Sequence, residues 1–246
     1  MNVNSLFDQI HHQDLKIGIP IVVGLISFII FWFTHKSTKI QSLFSEKYGA
    51  DLGSAKFIIF TKHLGGFTMG ILPALAYFIT FPETTLAQLG LALPKDTILM
   101  TILYSLGLIT FVIPTAIFNA KKEKNLEVYP QIRAKIWNKK MLRGHLFSWA
   151  TYLFGYEFLF RGVLFFPLVE TIGLWPAIAV NIGMYSATHI AKGIKETIGA
   201  FVISIIFCLL TLHTGTIWIA FFVHLAMAWT NALTALKYHP DMEYVN

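Results

Sequence analysis

Long uninterrupted apolar runs dominate the chain and alternate with short polar stretches. Seven of them approach the roughly 20 residues that a helix needs to cross a bilayer. They cover residues 17–34, 57–81, 97–118, 145–168, 173–190, 197–212 and 216–236. Strands of a membrane barrel would instead alternate apolar and polar residues over about ten positions. The pattern therefore predicts an all-α fold, a polytopic membrane helix bundle with about seven transmembrane helices.

The first run has the features of a membrane helix rather than of a cleavable signal peptide. Sixteen mostly polar residues precede it, including Asp8 and Asp14, and they contain no basic amino-terminal region. No small-residue cleavage site closes the run, which continues into His35 and Lys36. We therefore expect this helix to stay in the protein.

Basic residues concentrate in alternate loops. Sixteen of the 19 Lys and Arg residues fall in segments 35–56 and 119–144, at Lys62, or shortly after the fifth and seventh runs. An excess of Lys and Arg marks cytoplasmic loops. The predicted protein therefore lies in the plasma (inner) membrane, with its amino terminus outside and its carboxy terminus in the cytoplasm.

Composition excludes several classes of protein. Hydrophobic residues make up 55% of the chain and charged residues 13%, against about 25% charged residues in soluble domains. A soluble enzyme, a DNA-binding protein and a disordered chain are therefore excluded. Cytoplasmic loops facing anionic lipid explain the net charge of +6, so no nucleic-acid partner is expected. The single cysteine, Cys208, cannot form an intramolecular disulfide and is interpreted as a small buried hydrophobic residue.

No repeat or linker divides the chain, so a single membrane domain over residues 1–246 is predicted. It comprises three amino-terminal spans over residues 17–118, a cytoplasmic amphipathic segment at 119–144 and a core at 145–236. The segment 119–144 is expected to form one or two amphipathic helices, with Trp137 as an interfacial anchor, or else a solvated basic loop.

Two opposite charges fall deep inside the fourth run, where a charge in hydrocarbon costs several kcal/mol. Glu157 and Arg161 are four residues apart, with the acid first, and therefore share one helix face. Either the pair neutralises itself and fixes helix packing, or Arg161 orients Glu157 and holds it ionised for chemistry.

Histidines on two other runs add to these charges. His189 follows Asn181 and Tyr185 at spacings of four residues, which makes a polar stripe on one helix face. His224 lies midway along the last run, and Asn231 follows two turns later on nearly the same face. A structural hydrogen-bonded network is one interpretation of these groups, and a reactive site is the other.

The reactive interpretation is hydrolysis. A carboxylate and a neutral imidazole can deprotonate a water, directly or through a divalent metal such as zinc. A second imidazole and an amide can stabilise an oxyanion. The candidate catalytic residues are Glu157, His189, His224, Arg161 and Asn231, and the first three are also candidate metal ligands. The absence of an HExxH motif excludes a zinc protease of the soluble type.

Three motifs in the same region resemble those of a known family. Residues 157–162, E-F-L-F-R-G, are similar to the first motif of the CPBP intramembrane proteases (CAAX-protease and bacteriocin-processing, also called Abi). Residues 185–189, Y-S-A-T-H, resemble the second motif, and residues 214–224, ending at His224, resemble the run into the third. The resemblance covers about residues 145–236.

The resemblance implies an all-helical membrane protease that acts on a peptide or protein substrate. Family members cleave near the carboxy terminus of prenylated CAAX proteins, or process or resist bacteriocins. Carried over by the resemblance, His189 would activate water and His224 would stabilise the oxyanion. Glu157 and Asn231 lie near, but not at, the positions of the family's glutamate and asparagine, and would take over their roles as base and oxyanion donor.

Two positions depart from the family motifs. Tyr156 stands where the first motif has its first glutamate, and Ala228 stands where the third motif has its asparagine. These departures suggest an alternative, a catalytically inactive protein of the same fold that binds a peptide or partner, as in bacteriocin immunity. A third hypothesis is a small transporter in which Glu157, His189 and His224 form a proton path.

Overall fold

The computed structural model describes residues 12–245, and it is almost entirely helical in that part of the chain. The polar residues 1–11, predicted to precede the first span, and residue 246 lie outside the described residues. The helices are α1 (His12–Lys36), α2 (Thr38–Tyr48), α3 (Ala50–Thr80), α4 (Ile98–Ala120), α5 (Glu123–Leu126), α6 (Lys139–Glu157), α7 (Phe165–Ile172), α8 (Leu174–Ala187), α9 (Ile194–Thr214) and α10 (Trp218–Tyr238).

Short irregular elements join some of these helices. A π-helical turn, Phe158–Val163, connects α6 to α7, and a 3₁₀ turn, Ile190–Lys192, precedes α9. The strands β1 (Ile136–Trp137) and β2 (Glu243–Tyr244) pair in parallel and bring the carboxy-terminal end of the chain to the segment before α6.

The predicted membrane bundle is confirmed, and the protein is an integral membrane protein. Six helical stretches in residues 12–245 are long and apolar enough to cross a bilayer: α1, α3, α4, α6 together with α7, α9 and α10. The fifth predicted run differs, because α8 has only 14 residues. It is bounded by Gly173 and, beyond a 3₁₀ turn, by Gly193, at φ 84° and 101°, a backbone region that glycine adopts most readily.

The segment 119–144 does not form the predicted amphipathic helices. Between α4 and α6 the regular elements are the four-residue α5 and the strand β1. Trp137 is fully buried, and its Nε1 donates to the carbonyl of Ala134 at 3.0 Å. It therefore packs in the protein interior and is not an exposed interfacial anchor.

Glycines bring α3 and α6 into close backbone contact. A Cβ atom on Gly70 would lie 2.9 Å from the Cα of Gly155, and a Cβ on Gly155 would clash with the carbonyl of Gly66. Small residues four apart allow membrane helices to pack this closely. Because Gly155 lies two residues before Glu157, this contact fixes the end of α6 inside the bundle.

Candidate active site

Glu157 and Arg161 form a buried ion pair where α6 passes into the π turn. Both side chains are fully buried, and Arg161 Nε donates to Glu157 Oε2 at 3.2 Å. The predicted pairing is therefore present. The helix around it is not regular, because the amide of Leu164 donates to the carbonyl of Leu159, five residues back. Such π turns occur frequently at functional sites.

One nitrogen of the guanidinium, Nη1, is held by α8 and α9, whereas Nη2 has no hydrogen-bond partner among residues 12–245. Arg161 Nη1 donates to Asn181 Oδ1 at 2.6 Å, to Ser204 Oγ at 3.1 Å and to Cys208 Sγ at 3.1 Å. The face of the Tyr185 ring lies 4.5 Å from the guanidinium carbon. These contacts offset part of the cost of burying the charge. Cys208 is buried as predicted, but it also serves as a hydrogen-bond acceptor.

Sequence reasoning missed the polar contribution of α9. Ser204 and Cys208 are four residues apart, a spacing that places both on one helix face. That spacing was the sign in the sequence that α9 has a polar face. It becomes meaningful only once Arg161 is known to face α9.

His224, on α10, completes the cluster. Its Nδ1 lies 2.6 Å from Glu157 Oε1, and the Tyr185 hydroxyl donates to the same oxygen at 3.4 Å. Because a carboxylate only accepts hydrogen bonds, the proton is on Nδ1. Arg161 already balances the charge of Glu157, so an imidazolium would add an uncompensated buried charge. The neutral tautomer leaves Nε2 with a free lone pair.

His189 lies next to this cluster, in the connection between α8 and α9. Its Nδ1 is 3.1 Å from the carbonyl oxygen of Tyr185, an acceptor, so Nδ1 carries the proton and Nε2 has the free lone pair. The His189 ring stacks on the Tyr185 ring with centroids 5.3 Å apart. The Tyr185 hydroxyl lies 3.5 Å from His224 Nδ1. Tyr185 therefore stands between the two imidazoles.

Exposure separates the ionisable groups of the site into two classes. Glu157 and Arg161 are 0% exposed, whereas His189 is 9% and His224 is 8% exposed. Among residues 12–245, no group hydrogen-bonds to Nε2 of either histidine. The two imidazoles are therefore the groups that can meet water or a substrate.

Tyr156, at the position of the missing glutamate, forms one wall of the site. Its ring lies 5.8 Å from the His224 ring and 5.2 Å from the Tyr185 ring, between centroids. Its hydroxyl is 2.7 Å from Thr188 Oγ1, which in turn lies 3.0 Å from His189 Nδ1. Tyr156 thus connects α6 to the segment that carries His189.

The structure does not bring Asn231 to this cluster. Asn231 Oδ1 accepts a hydrogen bond from Asn125 Nδ2 at 3.1 Å, so Asn231 ties α10 to α5. Ala228 is buried in an apolar cluster that includes Trp149 and Leu153. Neither position supplies a donor beside His224.

A zinc centre built on all three predicted ligands does not fit the donor geometry. No group of three or more His, Cys, Asp or Glu side chains in the described part of the chain could hold a metal ion. The two carboxylate oxygens of Glu157 already accept hydrogen bonds from Arg161 and His224. The nitrogen that His224 turns toward Glu157 is protonated, so it cannot bind a metal.

Comparison with protein families supports the resemblance seen in the motifs. Residues 140–230 match the family model described as Type II CAAX prenyl endopeptidase Rce1-like. The matched segment begins in α6, ends in α10, and contains Glu157, Arg161, His189 and His224. The predicted resemblance to CPBP/CAAX proteases is thereby confirmed for this segment. Comparisons with curated proteins and with solved structures found no match.

Proposed function

We propose that this protein is an intramembrane peptidase of the CAAX-protease type, in which His224 is the general base and Glu157 positions it. The observation that carries the proposal is the 2.6 Å contact between His224 Nδ1 and Glu157 Oε1. It lies within the segment that matches the Type II CAAX prenyl endopeptidase family. A carboxylate on Nδ1 orients an imidazole and stabilises the imidazolium that forms during catalysis.

The proposed reaction is hydrolysis of a peptide bond by a water held at His224 Nε2. Nε2 takes one proton as the water oxygen attacks the scissile carbonyl carbon. Glu157 then stabilises the imidazolium through Nδ1, and Arg161 keeps Glu157 ionised and in place. When the carbon–nitrogen bond breaks, Nε2 returns the proton to the leaving amine. The products are a carboxylic acid and an amine.

His189 is proposed to orient the same water. Its free Nε2 can accept the second hydrogen of the water, and its ring is held in place by Tyr185. These roles differ from those predicted from the sequence, in which Glu157 would activate water and His224 would donate to the oxyanion. Both oxygens of the buried Glu157 already accept hydrogen bonds, and Nε2 of His224 has no proton to donate to an oxyanion. These two features favour His224, rather than Glu157, as the base.

The substrate that we propose is the tail of a peptide or protein presented at the bilayer. Our first candidate is a prenylated CAAX-type tail, and our second is a bacteriocin-like peptide.

We place the protein in the plasma (inner) membrane as one membrane domain, with segments 35–56 and 119–144 cytoplasmic and the amino terminus outside. Termini on opposite sides of the membrane require an odd number of crossings. In this orientation α8 is therefore the seventh crossing, in addition to the six long helical stretches of residues 12–245.

A second candidate function is that of an inactive protein of this fold that binds a peptide or partner. Tyr156 favours it, because its aromatic ring packs beside His224 at the motif position of a carboxylate. The double variant Tyr156→Glu, Ala228→Asn separates the two functions. Cleavage that appears only in this variant would identify an inactive protein.

The test uses purified full-length protein in liposomes and a farnesylated CAAX-type peptide, with cleavage followed by mass spectrometry. We expect His224→Ala to lower kcat at least a hundredfold, the usual scale of general-base catalysis, about 10²–10⁴. Glu157→Gln should lower kcat with little change in KM. The exposed His213 on α9 provides the matched control, since His213→Ala should leave kcat unchanged. Full activity in both His224→Ala and Glu157→Gln would refute the proposal.

A further inference from the structure

Lys62, on α3, is buried, and no acidic partner lies beside it in the described part of the chain. Its side chain is 3% exposed, and Nζ lies 3.0 Å from the centroid of the Trp149 ring and 5.1 Å from that of Tyr152. Among residues 12–245, no carboxylate forms an ion pair with it. Contact with aromatic faces returns only part of the hydration that a buried ammonium loses. The surroundings of Lys62 therefore favour the binding of an anion.

A second donor without a partner lies beside the same indole. Trp149 Nε1 donates to His145 Nε2 at 3.2 Å, so Nε2 is the acceptor and Nδ1 carries the proton. His145 is 1% exposed, and its Nδ1 has no hydrogen-bond partner among the described residues. Buried donors normally have partners. Within the described residues, an amine and an N–H group next to one indole therefore both lack an acceptor.

The region around Lys62 is continuous with the candidate active site. The Tyr152 ring, next to the ammonium, lies 5.8 Å from the Tyr156 ring between centroids, and the Tyr156 ring lies 5.8 Å from that of His224. A continuous row of aromatic rings thus extends from His224 to Lys62.

We infer that Lys62 and His145 form a subsite for the carboxylate at the carboxy terminus of a peptide substrate. This inference rests on the proposed function. A carboxylate supplies the negative charge that Lys62 lacks and oxygens that can accept from both donors. Lys62 lies between α3 and α6 against Trp149 and Tyr152, which favours a chain end over the phosphate of a bulky lipid headgroup.

The rise of α6 gives the scale of the separation between this subsite and His224. Trp149 and Tyr156 are seven residues apart on α6, which corresponds to about 10 Å along the axis. An extended peptide advances about 3.3 Å per residue. A carboxylate at Lys62 would therefore place a peptide bond about three residues from the chain end near His224. Lys62 acts in binding and specificity, not in the chemical step.

The experiment compares two farnesylated CAAX-type peptides that differ only in a free carboxylate or a carboxamide at the carboxy terminus. Binding is measured by fluorescence anisotropy to the full-length protein in neutral phosphatidylcholine nanodiscs, with His224→Ala present to stop turnover. We expect the free acid to bind at least tenfold more tightly. Lys62→Met should remove this preference. Equal binding of acid and amide before any change at Lys62 would overturn the inference, whether or not Lys62→Met folds.

Lys56 provides the matched control. It lies on α3 as well, and its Nζ is 4.4 Å from the Tyr48 ring centroid, but the residue is exposed. Lys56→Met therefore removes the same charge from the same helix and should preserve the tenfold preference. Loss of the preference in both variants would point to general electrostatic attraction and would contradict a specific subsite.

Two further readouts separate this inference from its alternatives. Carboxylate preference without cleavage by the wild-type protein would refute the proposed peptidase and support the subsite. Cleavage without carboxylate preference would support the proposed peptidase and refute the subsite. A loss of phosphatidylglycerol retention in native mass spectrometry of Lys62→Met, with peptide preference unchanged, would assign Lys62 to lipid and overturn the inference.

Discussion

Helix α4 and the stretch from α6 to α7 were both predicted as membrane spans, yet they have opposite surroundings. In its most apolar window, α4 is 11% buried inside the protein, whereas the stretch from α6 to α7 is 78% buried. α4 is the more apolar of the two and contains no charged residue, while α6 and its π turn carry Glu157 and Arg161.

The difference shows what makes intramembrane charge tolerable. Lipid offers no hydrogen bonds, so a lipid-facing helix has to be apolar. Around the π turn, α8, α9 and α10 replace lipid with an amide, a hydroxyl, a thiol and an imidazole. Charge within the bundle is thus a property of the neighbouring helices as much as of the helix that carries it.

The largest effect should come from breaking the buried pair. Arg161→Met leaves Glu157 buried without its cation, which should lower the free energy of unfolding by about 3–5 kcal/mol. Leu103, on α4, is 52% exposed, and Leu103→Ala should change stability by no more than about 0.5 kcal/mol. Unfolding in mixed micelles, followed by tryptophan fluorescence, measures both. Similar losses for the two variants would contradict the contrast between the helices.

A smaller loss should follow from overpacking the contact between α3 and α6. Gly155→Leu forces the two backbones apart and should cost about 1–3 kcal/mol. It should also lower peptide cleavage, because Glu157 lies two residues later. Gly107, on α4, has no atom within 4 Å of a Cβ placed on it. Gly107→Leu is therefore the control, and the same unfolding and cleavage assays apply. Unchanged stability in Gly155→Leu would show that the close approach is not required.

The smallest effect should come from the contact that ties α10 to α5. A double-mutant cycle on Asn125→Ala and Asn231→Ala should give a coupling free energy of about 0.5–1.5 kcal/mol, the usual net value of a hydrogen bond. Peptide cleavage should stay within about twofold of the wild-type rate. A large loss of kcat in folded Asn231→Ala would restore the oxyanion role predicted from the sequence.

The sequence was sufficient where local rules decide the outcome. Continuous apolar runs predicted the membrane helices, and the spacing of Glu157 and Arg161 predicted their contact. Other features depend on residues far apart along the chain. Asn231 shares a helix face with His224, but its partner is Asn125, 106 residues earlier. The π turn and the short α8 likewise depend on tertiary packing and on backbone turns that apolar runs do not reveal.

The most direct test of the proposed base is the protonation state of His224. Protein labelled with ¹⁵N-histidine in nanodiscs would be studied by NMR at neutral pH, with the His224 signals assigned by comparison with His224→Gln. We predict a proton on Nδ1 and a free Nε2, and loss of this fixed tautomer in Glu157→Gln. A proton on Nε2 in the wild-type protein, whether as the other tautomer or as the imidazolium, would contradict the assignment of His224 as the base held by Glu157.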